Sequence, residues 1–145
     1  MKTDHRQLGV DLFNHAWTYL DMAERTADED DAMLNASHAS RYHWSQASEE
    51  ANHQARGDWQ LSRVYAVLGR GEPAVHHGER CLEWCGRGEV EDWDVAFAHE
   101  ALARAHKVAG NAEAAERHKR LARAAGDAIA DRDDREHFDK DYTTL

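Results

Sequence analysis

The side chains most able to do chemistry stand together in "VHHGERCLEWC", where His77, Cys81 and Cys85 recur every four residues. On a helix this spacing sets one imidazole and two thiols on one face at successive turns. Nitrogen and thiolate ligands suit tetrahedral zinc, which wants a fourth ligand or an open water position, and His118 is the candidate for the fourth. Two features favour packing instead. His118 holds the position equivalent to His77 in an internal repeat described below, on the stripe Ala114, His118, Leu121, Ala125. Cys81 stands where a small core residue fits, a role that free cysteine often takes. We expect no metal and no other cofactor.

Other chemical patterns are incomplete. Glu50 and His53 form one Glu-x-x-His, whereas a carboxylate-bridged di-iron bundle needs two copies on separate helices. Gly-rich phosphate loops, Gly-x-Ser-x-Gly and His-Glu-x-x-His are missing from the sequence. Most of the 11 histidines fall on polar faces or helix ends, where His is an ordinary solvated residue. No catalytic residue is therefore expected. The stretch "HASRYHWSQ", residues 38–46, splits between two faces: His43 and Trp44 should point into the helix stack, and His38, Arg41 and Ser45 outward.

The elements that position these residues are all helical. One proline, abundant alanine and apolar residues recurring at three and four exclude a strand-rich fold. Helix one is predicted from about Gln7 to Glu24, its apolar stripe comprising Phe13, Ala16, Trp17, Leu20 and Ala23. Thr26 and Glu29 make a capping box for helix two, which runs to about Ala47. Ser48 caps helix three, and Gly69 ends it. Pro73 opens helix four, which Gly86 and Gly88 close. Asp92 caps helix five, Gly110 ends it, Asn111 caps helix six, and Gly126 ends that. "DRDDREHFDKDY" forms a short acidic final helix or a frayed tail, with Ile129 and Phe138 inward.

The totals bound the partners. A chain of 145 residues suits a single domain, and its net charge of -10 argues against nonspecific binding to nucleic acid or an anionic membrane. Apolar runs are far shorter than the roughly 20 residues that span a bilayer. The polar start, "MKTDHRQLGVD", lacks a signal-peptide apolar region. These features lead to the expectation of a cytoplasmic protein with reduced thiols.

A shift of 41 positions aligns Leu61 with Leu102, Arg63 with Arg104, Val67 with Val108, Gly69 with Gly110, Ala74 with Ala115 and His77 with His118. The repeat unit is helix, Gly turn, helix. It resembles the tetratricopeptide (TPR) family, whose roughly 34-residue unit fixes a Leu, small residues, a Tyr and an Ala at set offsets. Those positions hold Leu61, Ser62, Tyr65, Ala74 and Cys81, then Leu102, Ala103, His106, Ala115 and Ala122. The chain departs from the pattern at Asp58 and His99 in place of Trp, at Gly78 and Lys119 in place of an aromatic, and at Gly86 and Asp127 in place of Pro. "LSRVYAVLGR" and "FAHEALARAH" are also similar to bacterial proteins without assigned function. The resemblance implies a short right-handed array of antiparallel helix pairs, an α-α superhelix. Its parts are a degenerate first pair over 7–47, repeats over 49–86 and 92–126, and an acidic capping helix or tail over 127–145.

In proteins of that kind the first helix of each unit lines a concave groove. A helical step of roughly 100° independently puts Arg56, Trp59 and Arg63 opposite the inner stripe Leu61, Val64, Tyr65 and Leu68. It likewise puts Phe97, Glu100, Arg104 and Lys107 opposite Ala98, Leu102, Ala105 and Ala109. These seven form a basic and aromatic strip suited to a carboxylate or an acidic peptide. Packing of Trp59 on helix one or two, with Arg63 neutralising Glu100, is the competing reading of the same residues. If the strip is a surface, Arg63→Ala with Arg104→Ala should cost no more than about 1 kcal/mol of stability. The functional expectation is a noncatalytic module for a protein or peptide. The alternatives are a metal-binding or small-ligand enzyme in the same helices, and a self-associating protein that dimerises through Trp59 and Phe97.

Overall fold

The protein, described over residues 2–145 by a computed structural model, folds into seven helices with no strand among the described residues. They are α1 (His5–Leu20), α2 (Ala27–Ala47), α3 (Ala51–Val67), α4 (Gly71–Cys85), α5 (Asp92–Ala109), α6 (Ala112–Asp127) and α7 (Arg132–Tyr142). Each pair α1/α2, α3/α4 and α5/α6 packs against itself, and α5 also lies across both α3 and α4. The odd-numbered helices touch in series, α1 to α3 to α5 to α7, and α2 reaches α4 through side chains, His38 against the His77 ring at 5.8 Å and Arg41 over the Trp84 ring at 5.9 Å. In this α-α array α1, α3, α5 and α7 share one face, made concave by a cavity that residues of all four line. No described helix is long and apolar enough to cross a membrane.

Local chemistry accounts for most boundaries. The Thr26 hydroxyl and Glu29 carboxylate cap α2 reciprocally, and three acids in its first turn complement the helix dipole. Gly69 and Gly110, equivalent in the repeat, adopt φ of 75° and 83°, the left-handed conformation that costs glycine least. Some expected caps differ. Helix α1 stops at Leu20, four residues before the expected end, with Asp21 as its C-cap. Glu91 caps α5 in a box with Asp94, while the Asp92 carboxylate accepts from the backbone of Ala130 at 2.9 Å and ties α5 to the segment before α7. Ser48 accepts from Glu50 N at 3.1 Å, just outside α3, whose N-cap is Glu50.

Alanine-rich stripes leave little side-chain bulk between helices, and buried polar side chains reach neighbouring backbone through the gaps. Ser40 donates to Gly9 O at 2.7 Å, joining α2 to α1. Gln60 donates to Phe13 O at 2.9 Å, joining α3 to α1, and Ser62 donates to Ala74 O at 2.8 Å, joining α3 to α4. Each bond satisfies a buried group that would otherwise cost about 1–3 kcal/mol.

The repeat extends to side-chain geometry. In α3/α4, His77 Nδ1 lies 3.0 Å from Asp58 Oδ1, and its ring stacks on Tyr65 at 5.6 Å. In α5/α6 the equivalent His118 meets His99 at 3.1 Å and stacks on His106 at 5.5 Å. The same three offsets thus carry a polar partner, a histidine and a ring in both units.

Residues 38–46 correct the sequence reading. Arg41 turns inward to a carboxylate oxygen of the buried Asp58 at 3.2 Å and to Gln54, so it joins α2 to α3. His38 meets the Tyr65 hydroxyl at 2.8 Å. His43 does not enter the stack; it pairs with His5 at 2.8 Å on the margin of α1 and α2. The charge of Asp58, unsuspected as a core group, draws Arg41 and His77 toward it.

Candidate functional site

The concave face carries the seven expected residues, with their charges largely spent on one another. Arg56 forks onto Asp94, at 3.1 and 3.2 Å, and its guanidinium lies 4.2 Å from the centre of the Trp93 ring. Glu100 is fully buried, contrary to its expected place on an open strip, because one of its oxygens is shared by two guanidiniums. Arg63 reaches Oε1 at 3.4 Å and Arg104 reaches it at 2.6 Å, while Oε2 has no partner. Arg104 also donates to Thr144 Oγ1 at 2.6 Å beyond the end of α7. Burial, followed by the neighbouring Arg104 charge, holds Arg63 below the usual guanidinium value, with Glu100 opposing. Of the four cations only Lys107 is exposed and forms no ion pair among the described residues.

The aromatic members are also engaged. Trp59 is half-buried between Trp17 on α1 and Phe97 on α5, with ring centres at 5.5 and 5.6 Å, and its buried Nε1 lacks a partner. Phe97 is only 8% exposed, its ring set edge-on to Trp59, Trp93 and Phe138. An open aromatic patch shared by these two residues is therefore not what the chain presents.

What the concave face does present is a cavity of about 290 Å³ enclosed by four odd-numbered helices. Phe13, Trp59, Trp93 and Phe97 wall it, the thiol-bearing Cys81 of α4 also contributes, and Arg56, Asp94, Asp134 and His137 supply its polar edges. A second cavity of about 230 Å³, bounded by Val10, Trp44 and His53 among others, shares Phe13 and Arg56 with the first. The two form adjoining depressions along α1 and α3.

The chain matches no protein-family model, no curated protein and no solved structure. The site must be read from its own geometry. Arg56, Trp59 and Phe97 are the expected residues that meet in the larger cavity; Arg63, Glu100 and Arg104 form a separate ionic knot, and Lys107 stands apart. Phe13, Trp93, Asp94, Asp134 and His137 were not anticipated there. Trp93 could have been found, since it precedes Phe97 by one helical turn; Asp134 and His137 depend on where α7 docks.

The histidines and thiols of the metal reading go to separate partners. His77 is held by Asp58 and His118 by His99, and among the described residues no group of three or more His, Cys, Asp or Glu is placed to hold a metal. Cys81 and Cys85 are buried free thiols. The hydrogen bond between them pulls Cys85 below the usual thiol value and pushes Cys81 well above it, burial adding to the rise at Cys81.

The trio His99, His106 and His118 gives a pH dependence. Burial, then the neighbouring imidazoles, lowers His118 from 6.5 to about 4. Burial lowers His99 and His106 too. An unfolded chain then binds protons that the folded chain refuses, so the contribution is complete above pH 6.5 and lost as pH falls from there toward 4. Because these rings are partly solvated, the loss should be on the order of 1–2 kcal/mol. Urea unfolding of wild type against His118→Gln across this range checks it, and equal slopes would remove the trio as the cause.

Proposed function

We propose that this protein is a noncatalytic interaction module, a TPR-like helical repeat that holds a protein or peptide partner on its concave face. The observation that carries the reading is the aromatic cavity between α1, α3, α5 and α7: a concave, mostly apolar site with a few polar groups at its edge is what ligand recognition needs. The ionic pairing modifies the expected partner. A carboxylate would have to compete with Asp94 for Arg56 or with Glu100 for Arg63 and Arg104, so the anchor is an apolar side chain rather than an acid. Burying one such side chain contributes roughly 1.5–3 kcal/mol, and the adjoining second cavity supplies further contact. His38, His77, His99 and His118 face Asp58, Tyr65 and one another, and His137 at the cavity edge is oriented by no hydrogen bond among the described residues, which favours the noncatalytic reading.

Selection of short peptides from a random library against the whole protein tests the proposal. Enriched peptides should share an anchor side chain with an apolar body and lose about 10-fold in affinity to Phe13→Ala, the equivalent of roughly 1.4 kcal/mol. Peptides whose affinity is untouched by Phe13→Ala and by Trp93→Ala would move the binding site away from the cavity and overturn the reading.

A further inference from the structure

We infer that the group held in the concave cavity is a cation, the alkylammonium side chain of a lysine, methylated or not, on the partner peptide. This rests on the cavity being the binding site and adds the charge of its occupant. The argument begins with the rings. Phe97 stands edge-on to both Trp59 and Trp93, with interplanar angles of 71° and 83°, so the walls of the cavity meet at steep angles. Phe13 adds a fourth aromatic side chain to the lining, and the negative face of an aromatic ring attracts an ammonium group. A lysine-type stem of four methylenes gives such walls an apolar body to cover.

The polar edge points to the same occupant. Arg56 and Asp94 neutralise each other through a two-point bond, leaving the cavity edge with one unpaired charge, the carboxylate of Asp134. Asp134 is half-buried, and its side chain forms no ion pair or hydrogen bond among the described residues. The cavity is thus net negative, within a chain whose net charge is -10. That field draws a cation in and repels an acid. The fork to Asp94 also fixes Arg56 over Trp93, which shows the ring accepting a cation on the face that Arg56 covers. Among the described residues no guanidinium lies over the ring of Phe13 or Trp59.

The test uses N-acetylated amides of lysine, trimethyllysine, norleucine and glutamate with the whole protein, followed by the indole resonances of Trp59 and Trp93. Norleucine keeps the apolar stem and lacks the charge. Lysine and trimethyllysine should bind roughly 5- to 30-fold more tightly than norleucine. Asp134→Asn should reduce that preference at least about threefold without altering norleucine binding, and Phe13→Leu, which keeps apolar bulk, should weaken lysine and trimethyllysine while leaving norleucine unchanged. Norleucine binding as tightly as lysine, or glutamate binding most tightly, would overturn the cation assignment while leaving the cavity as the site. No shift of either indole with any of the four would overturn the cation assignment and the cavity reading together.

Discussion

Replacing Arg63 and Arg104 together with alanine is expected to destabilise the protein by about 3 to 5 kcal/mol, the cost of stranding a buried charge. The sequence alone suggests a loss within about 1 kcal/mol, as for two surface cations. The difference comes from Glu100, which is fully buried and has one oxygen held by both guanidiniums. Its other oxygen has no partner among the described residues, so no protein group stands ready to replace the arginines when they go. The two side chains are themselves only 18% and 17% exposed, which keeps solvent screening of the pairs small. The mechanism predicts a rescue. Adding Glu100→Leu to the double variant removes the stranded charge and should recover at least half of the loss, because an apolar replacement of a buried ionic triad is tolerated better than its partial removal. Urea unfolding of the wild type, the double and the triple variants measures both steps. A double variant within 1 kcal/mol of wild type, or a triple variant less stable than the double, would show that the knot does not hold Glu100 in place.

This knot also shows where sequence reasoning stops. The helical periodicity located the first six helices and left the last segment as a helix or a frayed tail, and the 41-residue shift paired α3 with α4 and α5 with α6, because both are local or translational properties of the chain. Ile129 and Phe138 were legible as inward residues for the same reason, and they are 1% and 0% exposed. Choosing between an open face and a packed one is a different problem. Arg63 and Glu100 are 37 positions apart, and whether their charges meet depends on how closely α3 and α5 approach. That approach follows from small residues such as Ala98, Ala101 and Ala105, which bring α5 near its neighbours and leave long polar side chains nowhere to go but toward each other. Trp59 is similar. It was expected opposite the Leu61 stripe as an outward ring, and α1 and α5 bring Trp17 and Phe97 up to it and make it a cavity wall. Asp134 was the least legible. An acid in "DRDDREHFDKDY" looks like every other acid there until the docking of α7 selects it.

Docking of α7 hinges on one ring, so Phe138→Ala should release the cap at a cost of about 3 to 5 kcal/mol for the interface. Phe138 is the sole fully buried residue of α7; Asp134, Arg135, Asp139, Asp141 and Tyr142 are half-buried, and the rest of the helix faces solvent. It lies edge-on to Phe97 at 5.3 Å, and its ring presses on Gly126 so closely that a Cβ there would come within 2.1 Å of its Cε1. Helix α7 touches only α5 and α6, so the six preceding helices can remain stacked when it leaves. The expected signature is faster amide exchange and proteolysis confined to α7 with the other helices retained, together with loss of cavity binding as Asp134 and His137 depart. Gly126 supplies the internal check. In the wild type, Gly126→Ala overpacks the interface and should cost about 1–3 kcal/mol. With Phe138 already replaced by alanine the obstruction is gone, and the same change should instead stabilise α6 by about 0.5–1 kcal/mol through helix propensity. The reversal of sign is the decisive quantity, because a nonspecific weakening of α6 would make Gly126→Ala unfavourable in both backgrounds.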